Sequence, residues 1–141
     1  MAVYNKFDDF VEQLVRKKHD LDAAADVVKI FLTNEQPLAT DTVKLDMVEI
    51  AAGNGYTAGG DDVTNSLSVA AGTVTLVAVD VVITASGGTI GPFQFVVAYN
   101  DTQTAPADAL ISWWDRGAAL TLQDGESFTV DFQGDKIFDL S

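Results

Sequence analysis

Cysteine is absent from the 141-residue chain. Neither a disulfide framework nor a thiolate metal site can form, and the redox compartment leaves no mark. Histidine occurs once, as His19. A catalytic triad therefore has a single candidate base, and at the end of an expected helix His19 reads as a solvent-side residue. Bases are scarce, with 8 Lys and Arg against 21 acids and a formal net charge of −13. Such a surface repels phosphate backbones and anionic bilayers, so neither nucleic acid nor membrane is an expected partner. Long apolar runs are missing: VTLVAVDVVI is broken by its aspartate, and nothing spans a bilayer. The opening MAVYNKFDDFVEQL has no basic stretch followed by an apolar one, so it does not read as a signal peptide.

What is present is enough for a core. Hydrophobic residues make up 48% of the chain, and the length suits a single domain over 1–141. Residues 5–17 carry a helical stripe of Phe7, Phe10, Val11, Leu14 and Val15. Asn5 is placed to cap it, Asp8 and Asp9 suit its positive end, and Arg16, Lys17, Lys18 and His19 suit its negative end.

After residue 25 the period changes to two. Val28, Ile30 and Leu32 alternate with Val27, Lys29 and Phe31. Phe93, Phe95, Val97 and Tyr99 form one such row, and Phe128, Val130 and Phe132 another. Weaker strand signals lie at 43–51, 63–70, 73–85, 109–116, 119–122 and 136–140. Asp124-Gly125 is a hairpin signal. Ala71-Gly72, Ser86-Gly87-Gly88 and Asn100-Asp101 mark further turns, and TQTAPAD a polar loop. The pattern predicts a mainly β protein, an antiparallel β-sandwich of jelly-roll-like type, with one N-terminal α-helix. An arm and helix occupy 1–22 and the sandwich 26–141.

The stretch EIAAGNGYTAGG poses a sharper question. Gly53-x-Gly55-x-x-Ala58 fits the dinucleotide fingerprint. A phosphate cradle needs a helix directly after its glycines, and here the chain runs into Gly-Gly-Asp-Asp-Val-Thr-Asn. Two aspartates there repel phosphate. The loop is read as a bend in which glycines supply positive φ, and Tyr56 within it as either a plug at the sandwich edge or a partner contact. Asp61, Asp62 and Asn65 could hold a structural cation but lack EF-hand spacing. Paired carboxylates for glycoside hydrolysis are not singled out among so many acids. No catalytic residue, metal ligand or cofactor site is expected, and the chain is not expected to be an enzyme.

Trp113-Trp114 is the notable aromatic pair. Neighbours on a strand face opposite sides. One tryptophan should enter the core; the other should face solvent, an oligomer neighbour or a ligand, unless a covered outer face buries both.

Taken together and in order, YNKFDDFVEQL, KIFLTNEQPLAT, EIAAGNGYTAGG, TASGGTIGPFQFVVAYND and ISWWDRGAALTLQDGESFTVDF resemble a family of small tailed-phage virion proteins. Some of these look like head decoration (cement) proteins. The resemblance implies a β-sandwich with a short N-terminal helix or arm. It implies the major capsid protein and further copies of the chain, as a homotrimer, as partners. It implies a place on the outer capsid surface of the virion after synthesis in the bacterial cytoplasm, and no catalytic motif. Under it, Tyr4, Asn5, Phe7, Tyr56 and Trp114 are the expected partner contacts, with the N-terminal segment through Phe10 reaching out to the capsid. The alternative is a tail, fibre or baseplate component that recognises a host surface sugar, with a tryptophan and Tyr56 as its stacking platform.

Overall fold

The computed structural model describes residues 3–141; the first two residues of the expected arm lie outside them. The elements in chain order are β1 (Val3–Lys6), α1 (Asp8–Val15), β2 (Val28–Thr33), β3 (Asp61–Asp62), β4 (Ser66–Ala70), β5 (Thr73–Val77), β6 (Val81–Thr84), β7 (Ile90–Thr104), β8 (Ala107–Leu122), β9 (Ser127–Val130) and β10 (Lys136–Leu140). The fold is mainly β with one α-helix, as the period-two pattern predicts. Every pairing is antiparallel. The large sheet has the order β1-β8-β7-β2-β3. Facing it are a three-stranded sheet, β10-β5-β4, and the pair β6-β9.

The main core lies between these layers. Val28, Ile30 and Leu32 of β2 meet Leu76 of β5, Ile83 of β6, Val130 of β9 and Ile137 of β10. The other face of the large sheet is not bare. Phe31, Phe95, Val97, Tyr99, Leu110 and Trp113 project there and pack with Phe7 and Met47. Sheets with both faces covered read as unbroken apolar runs, which is why Ile30, Phe31 and Leu32 follow one another at the centre of β2.

Bulges decide which face each side chain meets. Ala98 pairs with Ser112 and Tyr99 with Leu110, so Ile111 is an extra residue in β8. A bulge resets the alternation. Ile111 joins the main core, Trp113 the outer cluster, and Trp114 packs back against the main core. A second irregularity lies between Phe93 and Phe95. The four aromatic and aliphatic residues expected on one face therefore divide, Phe93 into the main core and Phe95, Val97 and Tyr99 into the outer cluster.

Several local expectations are corrected. The helix is shorter than 5–17, and Asn5 does not cap it. Phe7 holds the N-cap position with no side-chain bond, because residues 3–6 are drawn into β1 beside β8. The helix ends in a Schellman arrangement: Lys17 has φ +63°, Lys17 N–H bonds Leu14 O at 3.1 Å and Lys18 N–H bonds Gln13 O at 2.9 Å. That reversal turns His19 inward, so it is buried and not on the solvent side. Val11 and Val15, expected on the apolar stripe, are exposed. Asp124-Gly125 does form a turn, but it links β8 to β9, which pairs with β6, so it is no hairpin. Asn100-Asp101 is not a turn. Asn100 is buried within β7, and its Oδ1 accepts Thr102 N–H and Gln103 N–H across a bulge. The chain reverses instead at Ala105-Pro106.

Candidate functional site: an aromatic groove beside the β1 edge

A groove of about 830 Å³ opens between the β1–β8 side of the large sheet and the segment running from β9 to β10. Its aromatic residues come from three places in the chain. Tyr4 sits opposite Trp114 in the β1–β8 register, and their rings meet edge-to-face at 5.6 Å and 67°. Trp114 meets Phe132 the same way at 5.5 Å and 70°. These are favourable quadrupole geometries. Tyr4 stays 37% exposed, and burial of the rest of the ring pushes its phenol up, so it is a neutral hydroxyl at pH 7.

The polar rim is set by backbone irregularity. Leu120 pairs with Phe93 and Asp115 with Phe95, so residues 116–119 of β8 lie opposite Gln94 alone. This outward bulge carries Arg116 to the groove. Gly117 supplies the φ of +92° it requires. Asp115 Oδ1 fastens it, accepting Gly117 N–H at 2.7 Å and Gln94 Nε2–H at 2.9 Å. Arg116 Nη1 donates to Ala118 O at 2.9 Å. Among the described residues Arg116 is in none of the four ion pairs, in a chain with 21 acids. Asp131, Gln133 and Lys136 line the same groove.

The structure brings together two of the five expected contact residues, Tyr4 and Trp114. Asn5 is adjacent but only partly exposed, and its amide bonds Val3 O. Phe7 is corrected: it is fully buried, its ring tilted against Trp113 at 4.6 Å, and leaves no exposed surface. Tyr56 is corrected too. It is buried, with its hydroxyl accepting Leu32 N–H at 3.0 Å and donating to Glu49 Oε1 at 2.7 Å. Of its two readings, the plug is the one the geometry matches. β3 ends after two residues, so Leu32 has no strand beside it there. Tyr56 satisfies its N–H, and Ile50 N–H bonds its carbonyl at 3.1 Å.

The glycine loop thus seals a sheet edge. Gly53 and Tyr56 bond each other's backbones at 2.8 and 3.1 Å, and no helix follows. At Gly60, with φ +79°, a Cβ would lie 1.7 Å from Ile30 O. Gly55 and Gly60 permit close approach of backbone to backbone, at Thr84 O and Ile30 O.

A second polar cluster surrounds His19. Asn100 Oδ1 accepts two backbone N–H groups, which fixes its amide, so Nδ2 donates to His19 Nδ1 at 3.0 Å and to Asp26 Oδ2 at 2.7 Å. His19 is then a neutral ring with its hydrogen on Nε2. Burial holds it below its ordinary value, against the opposing pull of Asp26 and Asp9. Burial pushes Asp26 up, but bonds from Asp20 N–H, Asn100 and Gln103 outweigh it and hold the carboxyl low. Asn65 pins the same region, accepting Val28 N–H at 2.9 Å and donating to Leu21 O and Asp26 O. This is a scaffold for the 19–27 loop, and no nucleophile faces it. Among the described residues no group of three or more acids and histidines is arranged to hold a metal ion, and no helix is long and apolar enough to cross a membrane.

No family model matches the sequence, and neither a curated protein nor a solved structure matches it.

Proposed function

We propose that the chain is a tailed-phage virion structural protein, a decoration (cement) protein that binds the outer capsid shell. Its partners under this reading are the major capsid protein and its own copies, as a homotrimer, and its role is adhesive, not catalytic. The resemblance of the five segments supports it. The observation that carries it is on the cover over the outer cluster, where Leu38, Leu45 and Val48 are 58%, 90% and 70% exposed. Three aliphatics this exposed within eleven residues suit an interface with another protein. They replace the N-terminal arm as the proposed contact, since residues 3–6 are held in the large sheet. Repetition over a symmetric shell multiplies modest contacts.

The test is copy number per virion by quantitative mass spectrometry, together with co-sedimentation on shells stripped of the protein. A fixed large fraction of the major capsid protein's copy number, and binding weakened by Leu45→Asp with Val48→Asp, support the reading. Absence from purified virions overturns it. A tail, fibre or baseplate component is the second reading, favoured by the groove at Tyr4 and Trp114, and a handful of copies per virion would select it.

A further inference from the structure

We infer that the groove beside β1 is a binding site for a neutral oligosaccharide. Three independent features converge on that ligand class. The first is the aromatic wall. Tyr4 and Trp114 come from strands adjacent only through folding, and both line the groove, Trp114 while also packing on the main core. The C–H faces of a pyranose are apolar while its rim is hydroxylated, so it suits a site with aromatic rings below and polar groups around.

The second is the set of polar groups. Arg116, Asp131 and Gln133 present a guanidinium, a carboxylate and a carboxamide at one mouth. Each is planar and offers two donors or acceptors in a fixed fork. That spacing matches the paired hydroxyls on neighbouring carbons of a sugar ring. The third is the bulge. A four-residue excursion in the longest strand, fastened by Asp115 and closed by Arg116 on Ala118 O, re-aims one side chain and leaves it without an acidic partner. Bulges of this kind are over-represented beside binding sites because they redirect side chains at a strand's rim. The volume, about 830 Å³, lies within the usual range for ligand clefts.

Charge selects among the sugars. With a net charge of −13 a polyanionic glycan is repelled at long range, while at the groove itself Asp131 is balanced by Arg116 and Lys136. A neutral chain of hexoses or N-acetylhexosamines meets no such barrier. The inference holds for a shell or a tail location alike, so copy number and glycan binding are separate readouts.

The experiment uses the full chain. An array of neutral and acidic oligosaccharides is followed by 15N–1H titration with the tetramer of N-acetylglucosamine and with maltotetraose. The expected result is saturable binding of a neutral glycan, with shift changes centred on Tyr4, Trp114 and residues 116–118. Tyr4→Ala and Arg116→Ala should each weaken it, the aromatic change by at least about tenfold. Trp114 also packs on Phe132, so Trp114→Ala could unfold the chain; exposed Arg116 and half-exposed Tyr4 keep the test independent of folding. Silence of every neutral glycan overturns the inference. So does binding unaffected by both variants, or loss of capsid-shell binding in Tyr4→Ala without any glycan signal, which would make the groove a protein-docking site.

Discussion

Replacing Tyr56 with phenylalanine removes one oxygen atom and leaves the ring in place. In the folded chain that oxygen has two partners, Leu32 N–H at 3.0 Å and Glu49 Oε1 at 2.7 Å. Glu49 keeps its other bonds, to Gly59 N–H at 2.7 Å and to Lys44 Nζ at 2.6 Å. Leu32 N–H keeps nothing, because β3 has already ended and Leu32 is fully buried. The cost is therefore that of one buried unsatisfied backbone donor, about 2 kcal/mol, with no cavity to add. At this chain length that lowers the melting temperature by roughly 6 °C. The assay is urea and thermal unfolding followed by circular dichroism, with m unchanged and the midpoint shifted. A parallel titration should find glycan binding intact, since Tyr56 lies outside the groove. A melting temperature within about a degree of the parent would refute the edge-sealing role. Loss of ligand binding with stability unchanged would restore Tyr56 as a contact residue.

Gly60→Ala should cost more than about 3 kcal/mol and give mostly insoluble protein, because its Cβ meets the Ile30 carbonyl; Gly53→Ala, with φ +118° and open space around it, should cost only about 1–2 kcal/mol of backbone strain. Lys17→Gly should stabilise by about 1 kcal/mol in urea unfolding, because glycine relieves the left-handed C′ position. His19 is held below its ordinary value in the folded chain, so the unfolded chain takes up the proton first. That contribution to stability is whole above about pH 6.5 and is lost as pH falls below it. The difference in urea midpoint between pH 7.5 and 5.5 should shrink in His19→Gln, and an unchanged difference would reject the buried neutral ring. Asn65→Ala should cost about 2–4 kcal/mol, since it unties Val28 N–H, Leu21 O and Asp26 O together.

Period-two alternation made β2, β7 and β9 legible, because burial of one or both faces writes itself into residue choice. Bulges do not, since an extra residue looks like any other. That is why Phe93 was grouped with Phe95, and why Asn100-Asp101 resembled a turn. Strand β1 was also hidden: VYNK has no internal pattern, and its place depends on β8, more than a hundred residues away. The groove was half legible. Alternation alone separates Trp113 from Trp114, and the buried Trp113 and groove-facing Trp114 follow it. That Tyr4 would be the second ring, and Arg116 the rim, depends on long-range register and on a bulge. Glycine-rich EIAAGNGYTAGG was legible as a bend, but its partner, the unpaired edge at Leu32, was not.

The large sheet is closed on one side and open on the other. Beyond β2, the two aspartates of β3 and the loop through Tyr56 occupy the backbone groups. Along β1, the outward groups pair with nothing among the described residues. Continuing the sheet from chain to chain therefore stops at two copies, with β1 against β1 about a twofold axis. A ring of three built by strand addition needs each chain to give one free edge and receive another. A threefold assembly cannot be closed by strand addition through this sheet alone. The same asymmetry stops crowded copies from extending this sheet strand upon strand into an unlimited filament.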